Sequence, residues 1–267
     1  MAISRIECAG EAVWVRFDEG GDPKTDARTR SGSLAGLLAD PQPAEMRGDR
    51  LLAPLEASAR IVCIGLNYRA HAEESSIAVP SHPVVFFRTR ESVVGPEEPM
   101  VLPAESERFD WEGELGVVIG KPGRRIAADK AMDHVLGYCC VNDGSLRDWQ
   151  KHTSQFSPGK NFDRSGSIGP WIVEADEAGD VAAMRLKTVL NGETVQDSGV
   201  DDLIFTVPEI IAYVSGFMEL KTGDVIATGT PSGVGGARKP PRFMGEGDVI
   251  SVEISSVGAL SNRIVRG

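Results

Sequence analysis

The chain has 267 residues with a formal net charge of −11, and 41% of its residues are hydrophobic. This length allows a sizeable core, either in one large domain or in a large domain with a small one beside it. The acidic balance argues against nucleic acid and anionic membrane as main partners, because both need a basic binding surface. An anionic substrate would need local compensation from a metal ion or from placed arginine and lysine side chains.

The chain start and the cysteines bear on the compartment. MAISRIECAG has no basic region followed by an apolar one, and no run of about 18 apolar residues exists, so we expect neither a secretory signal nor a membrane span. Cys8, Cys63, Cys139 and Cys140 lack the spacing of a zinc site, and we expect free thiols. Together these features favour a cytoplasmic protein.

The first 58 residues differ in pattern from the rest and are predicted to form a small N-terminal module. EAVWVRF alternates like a short strand, GGDPKTDARTRSG is typical of a loop, and SLAGLLADPQPAEM can hold a helical turn. No residue in this module suggests chemistry. We therefore predict a boundary between a module at 1–58 and a catalytic domain at 59–267.

From Arg60 onward, short apolar segments are separated by glycine and proline, which is typical of strands. Strands are predicted at 61–66, 84–88, 114–120, 135–141, 170–175, 185–192, 224–229 and 248–254. Helices are predicted at 127–135 and 206–218, where Thr206 can cap and Pro208 suits the first turn. Because strands dominate without regular alternation with helices, we predict an α+β fold with a mixed β-roll core and few helices.

The segment IVCIGLNYRAHAEES, residues 61–75, predicts a strand, a glycine turn and a polar helix. His71 and Glu74 are three residues apart, so they would face the same side of that helix. A carboxylate bonded to one imidazole nitrogen raises the basicity of the other, which suits deprotonation of water. This spacing is common by chance, and on its own it is better explained by an ordinary surface pair.

Three acidic residues occupy alternate positions in FDWEGELGVVIG, residues 109–120. Asp110, Glu112 and Glu114 would share one face of a strand. Glu112 and Glu114 could converge on Mg²⁺, Mn²⁺ or Ca²⁺, and Asp143, which follows the apolar run VLGYCCV, is the best candidate for a third ligand. The alternative is a half-exposed strand with an acidic face. The apolar LGVVIG argues against it, since buried unpaired carboxylates are costly.

Several cationic and polar residues could complement an anionic ligand. They are Arg88 or Arg90, Arg147, Gln150, Lys160 and Thr230. Thr230 lies in TGTPSGVGG, a type of turn that presents backbone N–H groups to an anion. Taken singly, each is better explained as a solvated surface charge or a plain turn. The glycine-rich turn lacks the spacing and lysine of a phosphate-binding loop, so we expect no nucleotide role.

Taken together, these stretches resemble the fumarylacetoacetate hydrolase family. The matching motifs are G-L-N-Y-x-x-H-x-x-E at 65–74, D-W-E-G-E-L at 110–115, G-Y-x-x-x-N-D-x-S-x-R-D at 137–148, G-K-N-F-D at 159–163, G-P-W-I-V at 169–173 and G-D-V-I-A-T-G-T-P-x-G-V-G at 223–235. Each motif alone is weak, but the ordered set is specific and covers about residues 60–265. Residues 1–58 resemble the short N-terminal extension of many bacterial members.

The resemblance implies a set of site residues. The implied ligands of a divalent cation, Mg²⁺ or Mn²⁺ with Ca²⁺ as an alternative, are Glu112, Glu114 and Asp143. The implied catalytic residues are His71 and Glu74, which would activate water, and Lys160, which would stabilise an enolate. The implied substrate-binding residues are Arg88, Arg147, Gln150 and Thr230. Many members have a lysine where this chain has Arg88 or Arg90, which concerns the identity of the substrate more than the metal site.

The leading hypothesis is therefore a metal-dependent hydrolase that cleaves a C–C bond in acylpyruvates or other β-diketo acids, in the catabolism of aromatic compounds or sugar acids. The resemblance also implies a homodimer. An alternative is an oxaloacetate-type decarboxylase or a dienoate isomerase or decarboxylase with the same metal site. A non-catalytic cation-binding protein is a third possibility. Asp110 has no counterpart among the implied ligands, so we expect it outside the ligand set.

Overall fold

The structure is a computed structural model that describes residues 1–18 and 20–267. Strands dominate this described part of the chain. In chain order they are β1 (Ala2–Cys8), β2 (Glu11–Phe17), β3 (Ala27–Ser31), β4 (Gln42–Pro43), β5 (Arg50–Leu52), β6 (Ile61–Gly65), β7 (Val84–Arg88), β8 (Val93–Val94), β9 (Met100–Leu102), β10 (Phe109–Asp110), β11 (Gly113–Ile119), β12 (Val135–Asn142), β13 (Ser145–Leu146), β14 (Gly166–Glu174), β15 (Arg185–Leu190), β16 (Glu193–Gly199), β17 (Val225–Ala227), β18 (Val249–Ile254) and β19 (Gly258–Arg266).

Helices are few and mostly short. The α-helices are α1 (Leu34–Ala39), α2 (Arg69–Glu74), α3 (Arg147–Gln150), α4 (Ser157–Lys160), α5 (Ala175–Ala178) and α6 (Val207–Phe217). Single 3₁₀ turns or short 3₁₀ helices lie at Ala128–His134, Val181–Ala183, Val200–Asp202 and Gly235–Ala237. The predicted α+β class with few helices is confirmed. No helix in the described ranges is both long enough and apolar enough to cross a bilayer.

The strands form three sheets. The largest has the order β4-β3-β2-β1-β14-β12-β11-β17-β6-β7, with β5 paired to β1 and β8 paired to β14. A second sheet has the order β16-β15-β18-β19-β9, and β10 pairs with β13 alone. Most pairs in the large sheet are antiparallel, but β17 runs parallel to β6 and β8 runs parallel to β14. This mixture explains why strands and helices do not alternate along the sequence.

Strand β11 lies in the middle of the large sheet and is buried on both faces. Leu115 and Val117 pack into a core that includes Ile211 of α6, while Val118 packs on the opposite face beside Cys139. Burial on both faces explains why this segment is continuously apolar instead of alternating. A charged residue at the start of such a strand must therefore find its partners within the protein.

Topology brings three other chain segments to the start of β11. Because β17 runs antiparallel to β11 and parallel to β6, the segments that follow β17 and β6 both emerge there. The first is the turn at 228–236, and the second leads into α2. The end of β12 arrives at the same place, since Gly113 pairs with Asn142. Residues far apart in sequence thus meet at one sheet end.

The N-terminal residues join the large sheet through β1, which pairs with β14 at Ala2↔Val173 and Ile3↔Ile172. The predicted boundary between 58 and 59 stays a prediction. The loop prediction for 20–32 is wrong at its end, because Ala27–Ser31 forms β3. This strand carries mostly polar, partly exposed residues and lies near the sheet edge, so the apolar alternation used to predict strands is absent.

Other predicted elements differ in detail. The helix predicted at 206–218 is α6, and the one predicted at 127–135 is a 3₁₀ segment. Ser145 pairs with Asp110 in the β10–β13 ribbon, and α3 begins at Arg147. The cysteines at 8, 63, 139 and 140 are free thiols, as expected.

The start of α6 provides a stability prediction. Glu209 Oε2 accepts hydrogen bonds from the Thr206 backbone N–H at 2.8 Å and from its hydroxyl at 2.7 Å, and these bonds lower the pKa of Glu209 below its ordinary value. We expect Glu209→Gln to reduce the free energy of unfolding by about 0.5–1 kcal/mol at pH 7. Urea titrations measure this difference.

The sign of the pH dependence follows from the lowered pKa. A carboxylate whose folded pKa is depressed stabilises the fold above its unfolded pKa of about 4.3, and that stabilisation is lost as pH falls through the folded value. The difference between wild type and Glu209→Gln should therefore shrink on acidification. The control is Glu246→Gln, at an exposed loop residue. A difference that is independent of pH would contradict the capping role.

Candidate active site

Three carboxylates converge at the start of β11. One oxygen from each of Glu112, Glu114 and Asp143 lies within 4.8 Å of the other two, and all three residues are buried. Strand pairing fixes this arrangement: the Asp143 N–H donates to the Glu112 carbonyl at 2.8 Å, and the Glu112 N–H donates to Asn142 Oδ1 at 3.1 Å. The structure thus brings together the three residues predicted as metal ligands.

Cations surround two of the three carboxylates. Lys160 Nζ lies 2.6 Å from Glu112 Oε2 and 2.6 Å from Asp143 Oδ2. Arg147 Nη1 lies 2.5 Å from Glu112 Oε1. Burial alone would raise the pKa of Glu112, but Lys160 and Arg147 outweigh it and hold that pKa below the ordinary value. Glu112 is therefore ionised at neutral pH.

Lys160 is a cation for the same reason. Burial alone would lower the pKa of Lys160, but the adjacent Asp143 and Glu112 carboxylates outweigh that effect and raise it. The ammonium is almost fully buried, with a side-chain exposure of 2%. It can therefore offer positive charge to a ligand but not act as a neutral base.

Glu114 is in the opposite situation. Its Oε2 accepts a hydrogen bond from the Gly229 N–H at 2.8 Å. Gly229 has a φ of +105°, a backbone conformation that glycine adopts without strain. Burial, followed by the Asp143 and Glu112 charges, raises the pKa of Glu114 well above its ordinary value. The cluster thus has an uncompensated carboxylate, and only oxygen donors. This donor set fits a hard divalent cation, which would relieve the repulsion.

Arg88 lies behind the cluster. Its Nη1 donates to Asp143 Oδ1 at 2.6 Å and to the Gly144 carbonyl at 3.0 Å, and its other donors bond to Ser92 and Ser165. The side chain has 0% exposure. Arg88 therefore orients Asp143 from the protein side, and the structure does not place it against the cavity described below.

Asp110 is fully buried but points away from the carboxylate cluster. It accepts hydrogen bonds from Arg147 Nε at 2.7 Å, from the Gly235 N–H at 2.7 Å and from the Gly236 N–H at 2.8 Å. The predicted alternation placed Asp110, Glu112 and Glu114 on one face of a strand, whereas β10 ends at Asp110 and β11 begins at Gly113. Because of this break, Asp110 faces the 228–236 turn, where its carboxylate binds and orients Arg147.

His71 and Glu74 lie together on α2, as the i, i+3 spacing predicted. His71 Nδ1 is 3.2 Å from Glu74 Oε2, and the Gly233 N–H donates to both Glu74 oxygens, at 3.0 and 3.1 Å. When Nδ1 carries the proton and donates it to Glu74, Nε2 is left as a free acceptor. One carboxylate therefore orients the imidazole and binds α2 to the glycine-rich turn.

A cavity of about 830 Å³ opens in front of the carboxylates. Most of the predicted site residues line it, and these are His71, Glu74, Glu112, Glu114, Arg147, Gln150, Lys160 and Thr230. Asp143 and Arg88 lie beneath this wall. A volume of this size is in the range of sites for small-molecule ligands. The predicted site residues are thus assembled in one place, although their individual roles stay predictions.

Sequence reasoning missed Gln196. This buried side chain accepts from the Gly113 N–H at 3.0 Å and donates to Thr230 Oγ1 at 2.8 Å. It therefore fixes Thr230 relative to the start of β11. Gln196 lies in β16, which belongs to the other large sheet, and nothing in its local sequence distinguishes it from a surface glutamine.

The fumarylacetoacetate (FAA) hydrolase C-terminal family model matches residues 60–265. Oxaloacetate tautomerase fahd2, mitochondrial, from Xenopus laevis is 44% identical over 217 residues, which are 80% of this chain and 68% of the relative. The structure of fumarylacetoacetate hydrolase from Exiguobacterium antarcticum is 34% identical, with a TM-score of 0.85 and full coverage of both chains. That of 2-hydroxyhepta-2,4-diene-1,7-dioate isomerase from Mycobacterium marinum is 33% identical, with a TM-score of 0.84, covering 100% of this chain and 98% of that one.

The uncompensated charge of Glu114 leads to a prediction about cation binding. Without divalent cations, Glu114→Gln should be at least as stable as wild type, because it removes one of three converging carboxylates. With Mn²⁺ the order should reverse. Wild type should gain about 2.7 kcal/mol at a cation concentration of about 100 times the Kd, and the variant should gain less. Denaturant unfolding with chelator and with Mn²⁺ measures both differences.

The matched control is Glu253→Gln, at an exposed position on β18. It should keep the full Mn²⁺ effect. If Mn²⁺ stabilised wild type and Glu114→Gln equally, or stabilised neither, the cluster would not be the cation site.

Proposed function

The chain belongs to the fumarylacetoacetate hydrolase family of enzymes, and we propose that it interconverts the keto and enol forms of a 2-oxo dicarboxylic acid, with oxaloacetate as the first candidate substrate. The observation that carries this proposal is the convergence of three carboxylates, a buried lysine and an oriented histidine on one cavity. Relatives named for oxaloacetate tautomerisation and for isomerisation of a dienedioate support it. Both activities move a proton next to a carbonyl group.

A divalent cation held by Glu112, Glu114 and Asp143 would supply Lewis-acid polarisation of the substrate oxygens. Arg147 would help to bind the substrate carboxylate. Its Nε and Nη1 are engaged with Asp110, Glu112 and Gln150, but its Nη2 is buried and has no acceptor among the described residues. An unsatisfied buried donor is unfavourable by about 1–3 kcal/mol, and a bound carboxylate would remove that cost.

His71 is the proposed base. With its Nδ1 proton donated to Glu74, the Nε2 lone pair is available in the cavity. It would take a proton from the carbon next to the 2-oxo group. Return of a proton to the oxygen gives the enol, and return to the carbon gives the keto form, so no other reactant is required.

Lys160 is the proposed source of electrostatic stabilisation. As the substrate carbon loses its proton, negative charge develops on the 2-oxo oxygen. The buried ammonium is fixed by Glu112 and Asp143 before the reaction begins. A preorganised charge in a water-poor site stabilises such an oxyanion more than solvent does. Thr230, held by Gln196, and Gln150, held by Arg147, are proposed to orient the substrate.

Hydrolysis of a C–C bond, the leading expectation from the sequence, is a second candidate. The pair of His71 and Glu74 favours it, because a histidine oriented in this way can deprotonate water as well as carbon. The two functions would use the same residues and differ in the group that His71 deprotonates. That group is the substrate carbon in tautomerisation and water in hydrolysis. They differ in products, since only hydrolysis releases pyruvate and a second acid from an acylpyruvate.

We expect the Mg²⁺- or Mn²⁺-loaded protein to accelerate the keto–enol interconversion of oxaloacetate above a blank that contains the metal alone. Ultraviolet absorbance of the enol measures the rate, and NMR measures the products. Acylpyruvates should yield no pyruvate. Release of pyruvate and acid from an acylpyruvate, without acceleration of the oxaloacetate interconversion, would replace the proposal by the hydrolase hypothesis. Formation of CO₂ as the main product would indicate decarboxylation instead.

The base assignment predicts the effect of one substitution. His71→Ala should lower kcat for the interconversion by at least about 100-fold, as is typical for loss of a general base. His82→Ala is the matched control, because His82 is exposed and does not line the cavity. An unchanged rate in His71→Ala would show that another group moves the proton.

A further inference from the structure

Two cations of the cavity wall have no part in the proton transfer described above. Arg108 and Lys151 both line the cavity, and both are exposed. The Arg108 carbonyl accepts a hydrogen bond from the Arg147 N–H at 3.0 Å, so these two arginines are neighbours across the β10–β13 ribbon. Lys151 directly follows α3, next to Gln150. The part of the cavity lining contributed by the β10–β13 ribbon and α3 therefore includes three cationic residues, Arg108, Arg147 and Lys151.

These two cations differ from the others in the cavity in their partners. Lys160 and Arg147 are engaged by Glu112, Asp143 and Asp110. Within residues 1–18 and 20–267, no carboxylate lies within ion-pair distance of Arg108 or Lys151. Their charges are therefore available to an anion. In a chain with a net charge of −11, such positive charge facing a cavity would favour an anionic ligand locally.

The distance from the carboxylate cluster limits which part of a ligand could reach them. Arg108 precedes Glu112 by four residues, a span of at most about 14 Å in extended chain. Arg108 and Glu112 line the same cavity, so a ligand whose near end lies at the cluster can extend towards the Arg108 side of the wall. The remaining wall is mainly apolar and suits a carbon chain between the two ends. Its apolar residues include Ile77, Phe156, Val234, Pro241 and Phe243.

We propose that Arg108 and Lys151 form the subsite for the distal carboxylate of the 2-oxo dicarboxylic acid. This inference rests on the proposed function, because it assumes that the 2-oxo acid end of the substrate lies at Glu112, Glu114 and Asp143. The subsite would bind 2-oxo diacids more tightly than 2-oxo monoacids whose tails are neutral. Charged hydrogen bonds to the distal carboxylate provide that selection, and a monoacid with an apolar tail forms none of them.

Binding of two matched acids to the Mn²⁺-loaded protein tests the subsite without turnover. 2-Oxoglutarate and 2-oxopentanoate share the 2-oxo acid end and the chain length, but 2-oxopentanoate has a methyl group in place of the distal carboxylate. Titration calorimetry should show at least about tenfold tighter binding of 2-oxoglutarate by wild type. The Arg108→Gln, Lys151→Gln double variant should reduce that preference to within about twofold, with little change in the Kd of 2-oxopentanoate.

The matched control is the Lys187→Gln, Arg263→Gln double variant, which removes two exposed cations outside the cavity. It should keep the preference of wild type. Absence of a preference in wild type, or its persistence in the cavity double variant, overturns the subsite.

The oxaloacetate assay on wild type separates the two proposals. If wild type prefers the diacid and the cavity variant loses that preference, the subsite is supported even where keto–enol interconversion is not catalysed, and only the proposed function fails. If interconversion is catalysed but the preference is unchanged in the variant, the function stands and the subsite fails.

Discussion

Repulsion among buried carboxylates at the start of β11 is the constraint on which the rest of the site depends. Glu112, Glu114 and Asp143 cannot all be ionised in a dry environment unless positive charge is close. Lys160 and Arg88 place two positive charges at hydrogen-bond distance from the cluster. Arg147 adds a third positive charge, which the cluster shares with Asp110. The remaining negative charge makes the cluster a receptor for a cation.

The same ion pairs also connect distant parts of the chain. Lys160 follows β13 and α3, yet its ammonium joins the end of β12 to the start of β11. Removing one partner of such a buried pair leaves the other charge uncompensated, which typically destabilises a fold by about 3–5 kcal/mol. The residues proposed to be catalytic therefore also stabilise the fold, so each substitution needs a measurement of folding as well as of activity.

Much of the site could be predicted from the sequence, because local spacing determines which side chains share a face. The positions of His71 and Glu74 on one helix followed from their i, i+3 spacing, and Glu112 and Glu114 followed from alternation. The location of Arg88 behind Asp143 did not, since nothing local distinguishes an arginine that faces a cavity from one that lies beneath it. The divergence of Asp110 was also hidden, because the break between β10 and β11 is set by pairing with β13 and β12.

The meeting of four chain segments at the start of β11 has a kinetic consequence. The residues around the cavity extend from Ile64 to Phe243, and β17 and β6 must pair in parallel across about 160 intervening residues before the segments that follow them can meet. Closing such long loops is entropically unfavourable, and contacts of this kind slow folding. The three carboxylates need only the β11–β12 pair, whereas the walls that carry His71 and the 228–236 turn also need β6 and β17 to pair. Recovery of a ligand that contacts both His71 and the carboxylates would therefore report formation of the whole β11 junction rather than of any single strand.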